Sequence, residues 1–277
     1  MQVAANVHLI PVPDPGRPPL YASNGYLVGR GGEVVVIDPG HETEQATQML
    51  LDYVKSIGNP RIRDILLTHA HADHYGGVPR LKEVTGAKLK AHPKAVESLR
   101  GTKPLIQVDE TIDEGSLIEI SGLKIQVVSA PGHSWSQVNY LLLDGMVLFS
   151  GDNVLGAGTA AVGGADGDMV TYLETLKKLK SLNSRVICPG HGAMIEDPGK
   201  KLDEYLTHRA EREQQILSLL RRGRRTSRDL MMGIYPELQE WLLDSAERQV
   251  ISHLTKLEGE GRVTAVEEGE KKYYSLK

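Results

Sequence analysis

The sequence predicts an α/β domain over residues 1–202 followed by a small winged-helix-like domain over residues 203–277. Three observations carry this reading. Short β-branched runs interleave with segments of helical periodicity along the first two hundred residues. From about Asp203 the composition shifts to charged amphipathic helices, and the chain then closes on two strand-like runs around a turn. The length, 277 residues, suits one large domain plus a smaller one.

Taken in order, Tyr26 to Ile37 reads as a hairpin turning at Gly29-Arg30-Gly31-Gly32 and delivering the chain to Asp38-Pro39-Gly40. Thr43 to Ile57 places Ala46, Met49, Leu50, Tyr53, Val54 and Ile57 at helical spacing, with Gly58 as the stop. Ile62 to Leu67 is a short apolar strand, Gly77 to Val84 a helix and Ala87 to Ala91 a strand. Leu105 to Val128 is a run of short strands broken at Asp113 to Ser116 and at Gly122. Val138 to Leu143 and Met146 to Ser150 form a hairpin through a tight Asp144-Gly145 turn. A Gly/Ala-rich stretch without periodicity fills Gly156 to Gly167. A helix over Met169 to Leu179 and a strand over Arg185 to Cys188 follow. In the tail, one helix carries Ile216, Leu217, Leu219 and Leu220, a second starts after a Thr226-Ser227 cap, and a third runs from about Leu238 to Leu257. Arg262 to Val266 and Lys271 to Leu276 then flank a Glu267-Glu268-Gly269 turn.

Composition narrows the function classes. Lys+Arg 32 against Asp+Glu 36 leaves a net charge of −4, a poor electrostatic sink for nucleic acid, so no stable duplex DNA binding is expected. The longest apolar runs, Val34 to Ile37 and Leu141 to Leu143, fall far short of the roughly 20 residues that cross a bilayer. The first residues lack the basic and apolar regions of a signal peptide, which makes a cytoplasmic location the expectation. A single cysteine, Cys188, excludes a disulfide framework and any CxxC zinc site, so metal chemistry must use imidazole and carboxylate.

The stretch Thr68-His69-Ala70-His71-Ala72-Asp73-His74 puts three imidazoles and a carboxylate within six residues, directly after a predicted strand. His69 and His71 alternate and can converge on one cation from an extended segment, while Asp73 and His74 point elsewhere and can serve a second. His133, Asp152 and His191 each sit at a strand-to-loop junction. Nitrogen and oxygen donors without thiolate suit zinc, and equally manganese or iron(II). A chance collection of surface or core histidines is the fate of single ones, and His8, His41, His92 and His253 are left unassigned. It does not explain a ligand-rich loop followed by three further donors.

On these residues the chain resembles the metallo-β-lactamase superfamily, whose HxHxDH motif reads here as His69, His71, Asp73 and His74. The resemblance implies an αββα sandwich with the site at one edge of two sheets. It implies His69, His71 and His133 as ligands of a first metal and Asp73, His74 and His191 as ligands of a second. Asp152 is then the bridging carboxylate, and Asp73 and Asp152 are the catalytic carboxylates. Ser150-Gly151-Asp152, Pro189-Gly190-His191-Gly192, Thr207-His208-Arg209 and the winged-helix tail are most similar to the β-lactamase-like protein two group, which includes an endoribonuclease of mitochondria.

The resemblance therefore implies a zinc-dependent hydrolase holding two Zn2+, with Mn2+ or Fe2+ as substitutes, in which a hydroxide shared between the cations attacks the substrate. Single-stranded RNA is the leading substrate. A small-molecule thioester, ester or lactone, as in glyoxalase II-like enzymes, is the alternative, since one Phe and two Trp offer few platforms for stacking bases. A regulator whose tail binds DNA is the reading from another class, and a ligand set without substitutions speaks against it. Oligomeric state is open, a homodimer included.

Weaker features have plainer explanations. Gly156-Ala157-Gly158-Thr159-Ala160-Ala161 fits GxGxxA but opens no amphipathic helix, so a loop near the metals is expected, with Thr159 a candidate substrate contact. Cys188 reads as a buried small hydrophobe and Asn24 as a turn residue. Arg221, Arg222, Arg224, Arg225 and Arg228 form the densest basic cluster, for which a solvated helix end is at least as good an account as phosphate contact. His208 and Arg209 are candidates for the cleft wall, a cap or a salt bridge being the commoner outcome.

Overall fold

The computed structural model describes residues 1–14 and 22–277. Seven strands form the first sheet in sequence order: β1 (Gln2–Ala4), β2 (Val7–Val12), β3 (Ser23–Arg30), β4 (Glu33–Ile37), β5 (Arg61–Leu66), β6 (Lys88–Ala91) and β7 (Glu110–Thr111). The second sheet runs in the order β12, β11, β10, β9, β8, from β8 (Leu117–Ile120), β9 (Leu123–Ser129), β10 (Val138–Leu142), β11 (Val147–Gly151) and β12 (Val186–Pro189). Strands β3 and β4 make the expected hairpin, but it turns at Gly31-Gly32, because Gly29 still pairs with Val34 inside the ladder.

Three apolar clusters give four layers. Val28, Val35, Ile37, Leu66, Ile125, Val127, Tyr140 and Phe149 interlock between the two sheets. On the outer face of the first sheet lie α1 (Glu44–Ser56), α3 (Val78–Thr85) and α4 (Pro93–Leu99), burying Leu50, Val54, Val78, Leu81, Ala95 and Leu99 against Leu27, Val36 and Ile65. On the outer face of the second, α5 (Met169–Ser181) and the start of α6 (Pro198–Leu220) bury Met169, Tyr172, Leu176, Leu202 and Tyr205 against Leu141, Leu148 and Ile187. α1 begins where the sequence places it because the Thr43 hydroxyl accepts the Ala46 N–H at 3.0 Å, filling one of the orphan donors of the first turn. α2 (Ala72–Tyr75) is a single turn in the histidine-rich segment.

The tail is built on α6, α7 (Ser227–Ile234), α8 (Leu243–Gly259) and a small sheet of β13 (Arg225–Thr226), β15 (Lys271–Leu276) and β14 (Val263–Glu268). Thr226 and Asp229 cap α7 reciprocally, the capping box that the Thr226-Ser227 signal anticipates. Ile216, Leu220, Leu230, Val250, Leu254 and Tyr274 form its core. α6 crosses residues 202 and 203 without a break: Leu202 and Tyr205 belong to the α/β core, and Ile216, Leu217 and Leu220 to the tail core.

Candidate metal centre

Parallel β4 and β5, together with β9, β11 and β12, bring their C-terminal ends to one edge of the sandwich. Each of these ends leads into a functional segment. β5 leads into His69, His71 and α2 with Asp73 and His74; β9 leads to His133, β11 to Asp152 and β12 to His191. Hydrogen bonds between the sheets fix the loops in place. Val138 N donates to Thr68 O at 2.8 Å, and Tyr140 Oη to Leu67 O at 2.6 Å. Asn24 N donates to Gly190 O at 2.7 Å, while its side-chain amide donates to Pro189 O at 3.0 Å and Gly192 O at 2.8 Å. Asn24 is thus not a turn residue. It lies inside β3, 5% exposed, and clamps the His191 loop, a long-range role that its neighbours in sequence cannot signal.

All seven sequence-expected side chains converge. His69, His71 and His133 form one group whose ligand atoms lie within 4.8 Å of one another; Asp73, His74 and His191 form a second, and His69, His74 and Asp152 a third that joins them. His191 Nε2 is 3.1 Å from Asp73 and 3.5 Å from Asp152, and His74 Nε2 is 3.3 Å from Asp152.

The proton positions follow from the outer partners. Thr68 Oγ1 donates to Asp38 Oδ2 at 2.6 Å, so it accepts from His69 Nδ1 at 3.0 Å. His74 Nδ1 donates to Asp38 Oδ2 at 2.8 Å, His133 Nδ1 to Ala161 O at 2.7 Å and His191 Nδ1 to Ala22 O at 3.1 Å. His71 is reversed, its Nε2 donating to Asp166 Oδ2 at 3.1 Å. Each ring donates outward through one nitrogen; the inner nitrogens of His69, His71 and His133 then meet as lone pairs, while those of His74 and His191 face the Asp73 and Asp152 carboxylates. His69 Nε2 stands 2.9 Å from His71 Nδ1, and His133 Nε2 stands 3.2 Å from that same atom. Buried His74 Nε2 and Asp152 Oδ1 face each other at 3.3 Å and have no further hydrogen-bond partner among the described residues. Such a convergence of acceptors is unfavourable unless a cation fills it, and outer hydrogen bonds of this kind orient metal-binding imidazoles. The donor set fits divalent metal.

Electrostatics agree. Burial would raise Asp152 and Asp73, but His74 and His191 hold both carboxyls below the usual range, Asp152 far below it. Burial opposes protonation of His191, yet Asp152 and Asp73 push its pKa up to about 10. His74 is likewise raised well above the ordinary value by Asp152, Asp38 and Asp73 against burial. His69 is pushed well down by burial and by the His74 and His71 rings beside it, and His133 is lowered by burial. Negative potential sits on the Asp73–Asp152 side and draws positive charge there.

Close packing fits the loops to this centre. A Cβ on Gly190 would lie 2.4 Å from Asp152 Oδ1 and 2.8 Å from His74 Cε1, so only glycine lets the chain pass. Gly156 lies against the Ala193 backbone and donates its N–H to His191 O at 2.8 Å, which makes the GxGxxA stretch part of the metal loop. Thr159 is half-buried in that loop. Cys188 is fully buried, and burial raises its thiol well above the usual value. Arg209 lines no cleft: fully buried, it donates to Ala160 O at 2.7 Å and to Gln249 Oε1 at 2.8 Å, and packs over Tyr172. His208 sits against Arg212, Nε2 to Nη2 at 3.3 Å. In the basic cluster Arg224 pairs with Glu268, and Arg228 with Glu247 at 3.0 Å.

Two residues at the centre escape sequence reasoning. Asp38 carries a readable signal, a carboxylate at a strand's C-terminal end, the same context that marks Asp152. Asp166 lies in the aperiodic glycine-rich stretch, where no local pattern points to it.

Four layers around two face-packed sheets, with a histidine and aspartate cluster at one edge and a winged-helix tail, define a metallohydrolase of the metallo-β-lactamase fold. The chain belongs to the metallo-beta-lactamase superfamily, whose model matches residues 18–191, and a beta-lactamase associated winged helix domain matches residues 226–272. A Beta-lactamase-like protein 2 homolog of Drosophila melanogaster is 33% identical over 94% of this chain and 90% of its own length. An Atrochrysone carboxyl ACP thioesterase of Aspergillus fumigatus is 33% identical over 78% of this chain and 65% of its own. Among solved structures, a metallo-beta-lactamase family protein from Thermus thermophilus superposes with a TM-score of 0.82 at 26% identity, covering 99% of each chain. A beta-lactamase domain protein from Burkholderia ambifaria reaches a TM-score of 0.86 at 18% identity over 100% of this chain and 93% of its own, a likeness of fold alone.

Proposed function

We propose that the chain is a dinuclear zinc hydrolase of small-molecule thioesters or esters. His69, His71 and His133 would hold one ion and Asp73, His74 and His191 the other, with Asp152 available to both groups; Mn2+ or Fe2+ could take the same donors. The observation that carries this is the convergence of the inner nitrogens of His69, His71 and His133 as lone pairs, beside a second cluster in which His74 and His191 face Asp73 and Asp152. Divalent ions supply Lewis acidity there, lowering the pKa of water and polarising a carbonyl. The chain's own residues do the rest. Asp73 and Asp152, held below the usual carboxyl range, anchor and orient and do not take up protons at neutral pH. Ala161 and Val162 wall the approach to His71 and His133. A thiolate leaves without help, so the site needs no strong general acid for a thioester.

Two features favour a small substrate over a nucleic acid. The thioesterase name of a relative at 33% identity points to acyl chemistry. In the tail, α8 follows α7 as the reading helix of a helix-turn-helix would, but Ser245, Arg248 and Ile251 face the α/β domain, where they line cavities with the 163–167 loop. The match to Beta-lactamase-like protein 2 homologs through the tail favours single-stranded RNA cleavage as the second reading. Among the described residues no helix is long and apolar enough to cross a membrane. The one cysteine, free and buried, fits the cytoplasm as the proposed compartment.

The test is a turnover screen of zinc- and manganese-loaded protein on thioesters, lactones and single-stranded RNA, with His71→Ala as the blank. Thioester or ester hydrolysis lost in the blank is expected. Cleavage of RNA alone would replace this reading with the second, and equal rates in the blank would remove the metal centre from the chemistry.

A further inference from the structure

A cavity of about 350 Å³ opens on the metal centre, with His71 and His133 on one side and Ser245 and Arg248 of α8 on the other. α8 is seated hard against the loop between them. At Gly163, where φ is +129°, a Cβ would lie 2.9 Å from both Arg248 O and Ser252 Cβ, and a Cβ on Gly164 would touch Arg248 Cδ at 3.8 Å. The Arg248 backbone thus packs directly on Gly163, and the stem of this exposed residue passes Gly164, which offers no side chain to block it. Several arginines of the tail are engaged, Arg224 with Glu268, Arg228 with Glu247, Arg262 with Glu260 and Arg209 with Ala160 O and Gln249, whereas Arg221, Arg222 and Arg225, whose side chains have no partner among the described residues, do not line this cavity. The Arg248 guanidinium makes no hydrogen bond or ion pair among the described residues. The carboxylate in the cavity wall, Asp166, is committed to His71 Nε2 at 3.1 Å and to Trp135 N at 3.3 Å.

We propose that Arg248 is the substrate's anion-recognition residue: it binds a carboxylate or phosphate of the substrate while the scissile carbonyl faces the histidines. The proposal rests on the hydrolase reading above and adds the substrate class, an anionic acyl thioester. An exposed guanidinium without a partner, lining a cavity at the small end of the ligand-site range, presents a forked donor that matches such an oxyanion. The tail then acts as a specificity element, and the neighbouring cavity of about 670 Å³ shares Gly163 and Gly164 and continues past Trp135, Met169 and Ile251 for the apolar body of the substrate.

The test uses the metal-loaded full chain and three thioesters. Butyryl and succinyl esters of N-acetylcysteamine differ in an acyl carboxylate, and a butyryl ester of a phosphopantetheine thiol places the anion on the leaving arm. Arg248→Ala should raise KM by about 10- to 100-fold for whichever anionic ester the site accepts, the worth of one charge-assisted contact, with kcat and the neutral ester within about twofold. Arg248→Lys should recover part of the loss, and the exposed Arg222→Ala should change nothing. The arm that responds identifies the source of the anion. Equal effects on neutral and anionic esters, or no effect on any, overturn the proposal. If wild type hydrolyses no thioester, that reading of the function fails by itself. Calorimetric binding of succinate and of phosphopantetheine still decides Arg248, since affinities unchanged in Arg248→Ala overturn its role.

Discussion

Asp38→Asn is the substitution that most sharply separates a metal centre from a mere polar cluster. The Asp38 carboxylate accepts three hydrogen bonds in a buried site: Thr68 N at 2.8 Å on one oxygen, and Thr68 Oγ1 at 2.6 Å and His74 Nδ1 at 2.8 Å on the other. Asparagine offers a single accepting oxygen. If its amide nitrogen faces Thr68 N, two donors meet in the interior at a cost of about 1–3 kcal/mol. If the amide nitrogen faces His74, it must donate to Nδ1, which drives the proton to Nε2, the atom aimed at Asp152. Either outcome misplaces a ligand. Loss of an outer partner of this kind weakens metal binding by about 10- to 100-fold. Competition of the metal-free variant against a chelator of known affinity measures the loss, and circular dichroism checks that the fold persists. A folded Asp38→Asn protein binding two equivalents as tightly as wild type would show that the outward hydrogen bonds do not set the ligand nitrogens.

Asp152→Ala should retain one metal equivalent, lose the second and drop activity by several orders of magnitude; elemental analysis and a turnover assay read both, and full metal content would refute the bridging role. Metal uptake should also release protons. With its pKa raised to about 10, metal-free His191 is protonated at pH 7 and must give up that proton to bind, so calorimetric enthalpies of zinc binding at pH 7 should scale with the ionisation enthalpy of the buffer. The same raised pKa stabilises the metal-free fold fully below the unfolded value of 6.5, and the contribution is lost as pH rises through about 10. Urea midpoints of chelated protein should therefore fall between pH 7 and 10.

Local signals carried most of this architecture. α1 was legible because a cap, an apolar stripe and a stopping glycine agree, and the HxHxDH segment because so many donors in one loop have few other uses. β1 and β2 have no such clarity: Pro11 interrupts the second strand's pattern, and pairing with β1 and β3, together with the N-terminal amine donating to Leu9 O, gives it a place. Seven-residue α4 is too short for periodicity to declare itself. Asn24, Asp38 and Asp166 owe their roles to partners between 30 and 168 positions away, which no window along the chain contains.

The unbroken α6 has a mechanical consequence. It has no proline or glycine between residues 200 and 220, the usual causes of a kink, and it is rooted in two hydrophobic cores. The tail can therefore not swing away as a hinged lid would. The helix acts as a caliper: it sets the spacing between α8 and the loops that carry the histidine and aspartate cluster once, during folding, and the width of molecule that can slide between them is gauged before any ligand arrives.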